Sequence, residues 1–527
     1  MANRLLNAIG LLGALILVST AARAQAPFRL QEATIDQIHG ELMAGHVSCR
    51  ALIGQYLKRI EAYDHAGPML NALQTVNRRA LEEADRLDAV SRANGPKGPL
   101  HCIPVLVKDQ VETSDMPTTY GSILFKQFTP GRDATVVKKL RAAGAIVIGK
   151  TNMGEFAAGY VGSGFGIVRN AYDPARSPAG SSSGSGVGVA ANFAVLAIAE
   201  DTGGSIRGPA AHSNAVGLRP TVPLVSRFGM MPATPTQDTL GPIARTVRDA
   251  ALMLDVIAGY DRNDPVTAYA EGHVPTTYTD FLKRDGLKGA RLGVLRVPLD
   301  PKADPQSEEY KKVRAVIDRA VAAMQAQGAQ IVDPIPAPEL LKQVDKLYTD
   351  NVYETEQAVD GYLAAHPGAP LKTLRDILLT GKVVPSRTTR LITNIGKTTS
   401  DPGNLTVIQR REELRLTVLK MMADLHVDAI VHATFDYPPG KIPMDALTIA
   451  DPAGVGDLGN NRRLAPLIGF PALSVPAGFT PDGLPVGIEF LGRQFSEGRL
   501  LTLGYAFEQA THHRRPPMAT PPLPGEP

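Results

Sequence analysis

TVVKKLRAAGAIVIG, from Thr135 to Gly149, reads as a helix over Thr135 to Ala143 that Gly144 closes and a strand over Ala145 to Gly149 that follows at once. Apolar residues at helical spacing give way to a short β-rich run, and glycine is the usual residue where a helix must stop. Just upstream, Ile103 to Val107 is a second apolar strand, and Lys108 stands at its end. Strand, helix, strand at these lengths predicts an α/β fold, a single large α/β/α domain around a mixed sheet with helices on both faces. Further out, Ala33 to Tyr63 carries helical spacing, with Ser48 placed to cap the run that begins at Cys49. Strand signals return from Pro471 to Leu491 and are broken by the turn Pro481-Asp482-Gly483.

The remaining stretches set the expected boundaries. Residues 1–24 combine Arg4, an apolar run from Leu5 to Val18 and Ala22-Arg23-Ala24, the three parts of a cleaved secretory signal. The apolar run is shorter than the ~20 residues a membrane span needs, so the expectation is an exported chain, periplasmic or secreted, with no stable membrane insertion after cleavage. The catalytic domain is expected over residues 25–515, and residues 262–450 form a mainly helical region that covers the cleft. The proline-rich tail, 516–527, is expected to be flexible. Residues 162–188 have the glycine and serine content of a linker, but they lead into Val187 to Ala191 and the strand Ala194 to Ala199. Small residues there let a helix and the backbone approach closely.

Composition excludes several function classes. Of the 527 residues 44% are hydrophobic and 20% charged, which suits a globular protein with a large core. Loss of Arg4 and Arg23 with the signal leaves 53 basic against 52 acidic residues, a formal net charge of +1 that favours neither nucleic acid nor an anionic surface. Two cysteines, Cys49 and Cys102, rule out a disulfide framework and a multi-cysteine metal site, and their pairing stays open, two buried thiols being the plainer reading. With no HExxH and no carboxylate-histidine cluster at ligand spacing, nothing calls for a metal or another cofactor.

Three pieces carry chemistry: Lys108, the tract Gly180-Ser181-Ser182-Ser183-Gly184, and Asp201-Thr202-Gly203-Gly204-Ser205-Ile206-Arg207. A strand that runs into Thr-Gly-Gly-Ser offers consecutive backbone amides with little side-chain bulk, a place to hold a developing oxyanion beside a serine that attacks. The serine needs a base. No histidine lies in the three pieces, whereas burial beyond an apolar strand would let Lys108 act unprotonated. Ser181 is placed to relay the proton between them.

These pieces, in this order, resemble the amidase-signature family, whose strand-end lysine, GGSSSGS-type tract and DTGGSIR segment are matched by Lys108, by Ala179 to Ser185 and by Asp201 to Arg207. The resemblance runs from about residue 33 to 515 and is greatest with the peptide-amidase branch. It implies that Ser205 is the nucleophile, Ser181 the bridging serine behind a cis peptide bond, and Lys108 the base. The backbone amides of Thr202, Gly203, Gly204 and Ser205 would form the oxyanion hole. The implied reaction is hydrolysis of a linear carboxamide through an acyl-enzyme, with a small-molecule amide, such as a peptide C-terminal amide or an acyl or aryl amide, as partner. Ala179 and Cys102 stand where the family usually has glycine.

Competing readings attach to the same residues. The tract also fits G-x-S-x-G centred on Ser182, the nucleophile elbow of another hydrolase class, but Pro174 and Pro178 argue against the buried strand an elbow requires. Arg207 is expected to pair with Asp201, and His212 and His432 to be packing residues. The glutaminase subunit of a tRNA-dependent amidotransferase shares the motifs but works with partner subunits in the cytosol, against the signal segment. A non-catalytic binding protein is disfavoured because all three triad positions are filled. The oligomeric state is left open.

Overall fold

The computed structural model describes residues 28–337 and 339–527; the expected signal segment, 1–24, lies outside them. Among the described residues thirteen strands run in chain order: β1 (Leu73–Val76), β2 (Pro104–Lys108), β3 (Ile146–Thr151), β4 (Val161–Gly162), β5 (Gly166–Ile167), β6 (Leu196–Asp201), β7 (Val216–Arg219), β8 (Thr239–Ala244), β9 (Arg291–Val294), β10 (Gln330–Val332), β11 (Ala429–Ala433), β12 (Ala472–Phe479) and β13 (Pro485–Leu491). Eleven of them form one sheet in the order β1-β3-β2-β6-β8-β7-β12-β13-β11-β9-β10, and β4 with β5 forms a small hairpin. The sheet is mixed: β3, β2 and β6 are parallel, as are β11, β9 and β10, and the strands between are antiparallel.

Side chains of successive strand residues point to opposite faces, and β12 shows what covers each. Leu473 and Val475 pack at Gly504 of the helix Glu497–Thr511, while Ser474 shares its face with Ala211 of the helix Arg207–His212. Both faces are therefore layered with helices, as the α/β/α reading expects. The helix Ser183–Ala190 lies against β2, β3 and β6. A Cβ on its Gly184 would come within 2.0 Å of the Ala72 carbonyl oxygen, so the small residues of the tract are there for close approach. At the other end Ser48 Oγ accepts from the Ala51 amide and caps the helix Cys49–Tyr63.

Three expectations change. The 262–450 region does hold six α-helices, among them Leu340–Asp350 and Pro385–Ile392, but it also supplies β9, β10 and β11, one whole end of the sheet. The tail is anchored: Arg59, fully buried, pairs with Glu526 at 2.7 Å and donates to the Thr520 carbonyl, and Leu30 donates to Pro527. Proline content signals extended chain and says nothing of a carboxylate that meets a buried guanidinium. Cys49 and Cys102 are joined in a disulfide, their Cα atoms 5.5 Å apart, rather than being two free thiols.

Candidate active site

Parallel neighbours end at the same edge of a sheet, and this brings the site together. Val107 of β2 sits beside Ile198 of β6, so Lys108 and the residues after Ile198 emerge side by side. Antiparallel β8 begins where β6 stops, with Thr239 opposite Asp201, which adds Asp238 to the same edge. The N-terminal end of the helix Ser183–Ala190 delivers the serine tract to it.

Lys108 is completely buried, and its Nζ lies 2.8 Å from Ser181 Oγ. The peptide bond Gly180-Ser181 is cis, as the resemblance implies. Ser181 is 1% exposed and Ser205 8%, so accessibility opens from the lysine toward the expected nucleophile. Ser205 Oγ makes no hydrogen bond among the described residues. Burial lowers the lysine's pKa below its ordinary range, and Glu200 opposes that shift. Ser182 faces elsewhere: its hydroxyl donates to the Glu200 carbonyl at 3.0 Å inside the core, which leaves nothing for an elbow nucleophile to do.

The amide of Gly204 departs from its expected role. It donates to Asp201 Oδ1 at 2.8 Å, so a carboxylate already holds it, and of the four expected oxyanion donors only the amides of Thr202, Gly203 and Ser205 are left as candidates. Gly204 itself has φ +113°, and a Cβ there would lie 2.4 Å from Arg462. On the open side the nearest atom to a Cβ on Gly203 is Tyr348 Cε2 at 3.9 Å, so the helix Leu340–Asp350 roofs the loop. Arg207 pairs with Asp201 at 3.1 Å and with Glu489, the structural role expected of it. His212 stacks on Phe435 with centroids 4.2 Å apart and His432 is buried near Glu489; both are packing residues.

Sequence reading missed three participants. Glu200 Oε2 accepts from Lys108 Nζ at 2.7 Å, and Glu200 Oε1 is hydrogen-bonded to the Thr202 hydroxyl. Asp238 Oδ1 lies 2.7 Å from that same hydroxyl. Arg462 donates to the carbonyls of Gly204, at 2.9 Å, and of Gly180, at 3.5 Å, and so ties together the residues that precede the two serines. A glutamate closing the otherwise apolar run LAIA was a readable signal for the first; Arg462, in the single 3-10 turn Asn461–Arg463 and 257 positions from Ser205 by number, offered none.

Near the serine tract is a narrow apolar crevice, walled by Gln110, Met153 and Phe156 on one side and by Val359, Leu374 and Arg387 of the helical region on the other. Gly154, next to Met153, links it to the site, its amide donating to the Ser181 carbonyl at 3.1 Å. The Gln110 side-chain oxygen and Arg387 Nε are buried without partners among the described residues. A ligand with both a donor and an acceptor would satisfy them.

The chain is similar to known proteins along most of its length. Residues 51–501 match the family model described as Amidase. A glutamyl-tRNA(Gln) amidotransferase subunit of Symbiobacterium thermophilum is 36% identical over 91% of this chain and 97% of its own. A probable amidase of Arabidopsis thaliana is 32% identical over 94% and 93%. Among solved structures, the peptide amidase of Stenotrophomonas maltophilia superposes with a TM-score of 0.82, at 36% identity over 93% of this chain and 99% of that one.

Proposed function

We infer the activity from what those similarities establish: this chain belongs to the amidase family and is an enzyme that hydrolyses amides. The reaction proceeds through an acyl-enzyme on Ser205. Ser205 Oγ attacks the carbonyl carbon while its proton passes to Ser181 Oγ and the Ser181 proton passes to Lys108 Nζ. The oxyanion is held by backbone amides at Thr202, Gly203 and Ser205. The proton then returns to the leaving nitrogen, and water releases the acid by the same route in reverse. The observation that carries this reading is the 2.8 Å contact between a fully buried lysine and Ser181. A buried amine without bulk water is suited to be neutral and therefore basic.

The substrate class is a peptide C-terminal amide or a small acyl or aryl amide. The apolar walls of the crevice near the serine tract are of a kind to meet an acyl side chain, and the likeness to peptide amidase structures supports the first member of that class. The chain works outside the cytosol after loss of residues 1–24, a reading that the Cys49–Cys102 disulfide supports, since disulfides persist in oxidising compartments. A second reading is a glutaminase subunit, favoured by the similarity to glutamyl-tRNA(Gln) amidotransferase subunits.

One experiment separates them. The purified mature chain, alone, is assayed against peptide amides, aryl amides, short aliphatic amides and free glutamine, alongside Ser205→Ala and Lys108→Ala. Turnover of peptide or aryl amides without a partner is expected, with kcat falling by about 10⁴-fold or more in both variants. Turnover of glutamine alone, or of nothing until partner subunits are added, would establish the second reading. Inactivation by Ser182→Ala with Ser205→Ala still active would overturn the triad.

A further inference from the structure

A single hydroxyl stands between two buried carboxyl groups at this site. Thr202 Oγ1 is in hydrogen-bond contact with Glu200 Oε1 and lies 2.7 Å from Asp238 Oδ1. A hydroxyl carries one hydrogen, so it donates to only one of them. If both carboxyls were ionised, the other contact would set two lone pairs against each other inside the protein. The Glu200–Thr202–Asp238 row therefore needs a proton on one of its carboxyls, and a Lys108 ammonium facing two carboxylates would leave it without one.

The surroundings say where that proton sits. Asp238 accepts backbone amides from Ala233, at 2.8 Å, and Thr234, at 3.0 Å. Those donors favour its ionised form. Glu200 has no amide donor to its carboxyl, only Lys108 on one oxygen and Thr202 on the other. A proton on Glu200 Oε1 would donate to Thr202, and Thr202 would donate to Asp238. Glu200 Oε2 would accept an N–H of Lys108, and the lysine lone pair would accept the hydroxyl hydrogen of Ser181. Every group in the row is then satisfied once, in one direction.

We propose that Glu200 holds the proton that Lys108 gives up, and that Thr202, by bridging Glu200 to Asp238, fixes the site in this form with the lysine neutral and ready to accept from Ser181. The transfer is internal. An N–H bond of the Lys108 ammonium breaks and an O–H bond of Glu200 forms, with the charge of the set unchanged. When Ser205 attacks and Lys108 gains the relayed proton, the Glu200 proton moves to Thr202 Oγ1 as the Thr202 hydrogen moves to Asp238. The new ammonium then faces a carboxylate. Glu200 and Asp238 touch no substrate and act through Lys108, so they are positioning residues. Burial pushes both carboxyls above their ordinary range and the lysine below its own, in keeping with this distribution.

The other charges nearby do not substitute for it. Asp201, the neighbour of Glu200 on β6, is taken up by Arg207 and by Arg219 from β7. Arg227, which lies toward Asp238, is paired with Asp264 at 2.9 Å.

This inference rests on the Ser-Ser-Lys reading, and the test separates the two. The pH dependence of kcat/KM is measured for the unaltered chain, Thr202→Val, Thr202→Ser and Glu200→Gln, with Ser205 labelling by a serine-directed phosphonate probe run in parallel. Thr202→Val removes the bridge, returns the proton to Lys108 and moves the acid limb to higher pH by about one unit, the worth of one hydrogen bond; Thr202→Ser restores it. Glutamine copies the donor and acceptor of a protonated, uncharged Glu200, so Glu200→Gln leaves the acid limb near that of the unaltered chain while kcat falls about tenfold, the amide being unable to pass a proton on. A purely structural role would lower activity without moving the limb in Thr202→Val. A limb that falls to lower pH in Glu200→Gln, as an ionised Glu200 would give, or that stays in place in Thr202→Val, overturns the inference. Absence of probe labelling at Ser205 in the unaltered chain overturns the triad instead.

Discussion

Glu200 and Asp201 are consecutive residues at the end of β6, both fully buried, and the fold makes opposite things of them. Glu200 faces one lysine and a second carboxyl, and burial raises its pKa. Asp201 would be raised by burial too, but it accepts from Arg207, Arg219 and the amides of Gly204 and Ile206, which together pull it below the usual carboxylate range. The difference is a count of donors. Where donors outnumber acceptors a buried acid stays ionised and serves as scaffold; where they fall short it keeps a proton that chemistry can use.

The sharpest way to break the comparison is to neutralise each acid in turn. Asp201→Asn leaves Arg207 and Arg219 short of a buried counter-charge and should destabilise the fold by about 3–5 kcal/mol, read from the urea midpoint at pH 7. The pH sign follows from the direction of the shift. A lowered carboxyl stabilises the fold above its unfolded pKa, about 3.9, and that contribution is lost as pH falls through the lower folded value. The gap between the unaltered chain and Asp201→Asn should therefore shrink below about pH 4. Glu200→Gln should leave the urea midpoint within about 1 kcal/mol and act on kcat; equal destabilisation by the two changes would erase the contrast.

A smaller effect is expected where scaffold and chemistry meet. Arg462 holds the carbonyls of Gly180 and Gly204 and lies over the Phe435 ring at 4.1 Å. Arg462→Ala should lower kcat by about 10²-fold through misplacement of the two serines, with KM changing less. A change in KM alone would make Arg462 a substrate contact instead of a clamp.

The smallest effect concerns the backbone just before Ser181. Ala179 has φ +59° and Cys102 φ +61°, the left-handed region that glycine adopts freely, and these are the two positions where the family pattern has glycine. Ala179→Gly relieves that conformation but loosens the unfolded chain, so its melting temperature should rise slightly, by the equivalent of at most about 1 kcal/mol. A fall would mean that the alanine methyl, buried with Ala211 and Phe435, contributes more than the backbone costs.

What the sequence made legible follows the same division. The α/β/α layering could be read because strand and helix periodicities are local, and Lys108, Ser181 and Ser205 because their motifs keep fixed order and spacing. Glu200, one residue before the last motif, is marked locally by closing an apolar run, but its role depends on Lys108, 92 positions earlier. Asp238 and Arg462 act across loops that no periodicity predicts. The disulfide spans 53 positions, and only the fold decides whether its ends meet. Gly204 sat in the right motif, yet the direction of its amide depends on where the Asp201 carboxylate turns.

The buried pair of Arg59 and Glu526 has a consequence for how the molecule is made. The two residues are 467 positions apart, so at 5–20 residues per second a ribosome needs on the order of half a minute to a minute and a half to produce the partner after the arginine. For that interval the helix Cys49–Tyr63 has the Ala191 carbonyl but not the carboxylate for the guanidinium it must bury, which disfavours its docking. A helix near one end of the described chain thus depends on residues near the other, and Glu526→Gln should loosen both together.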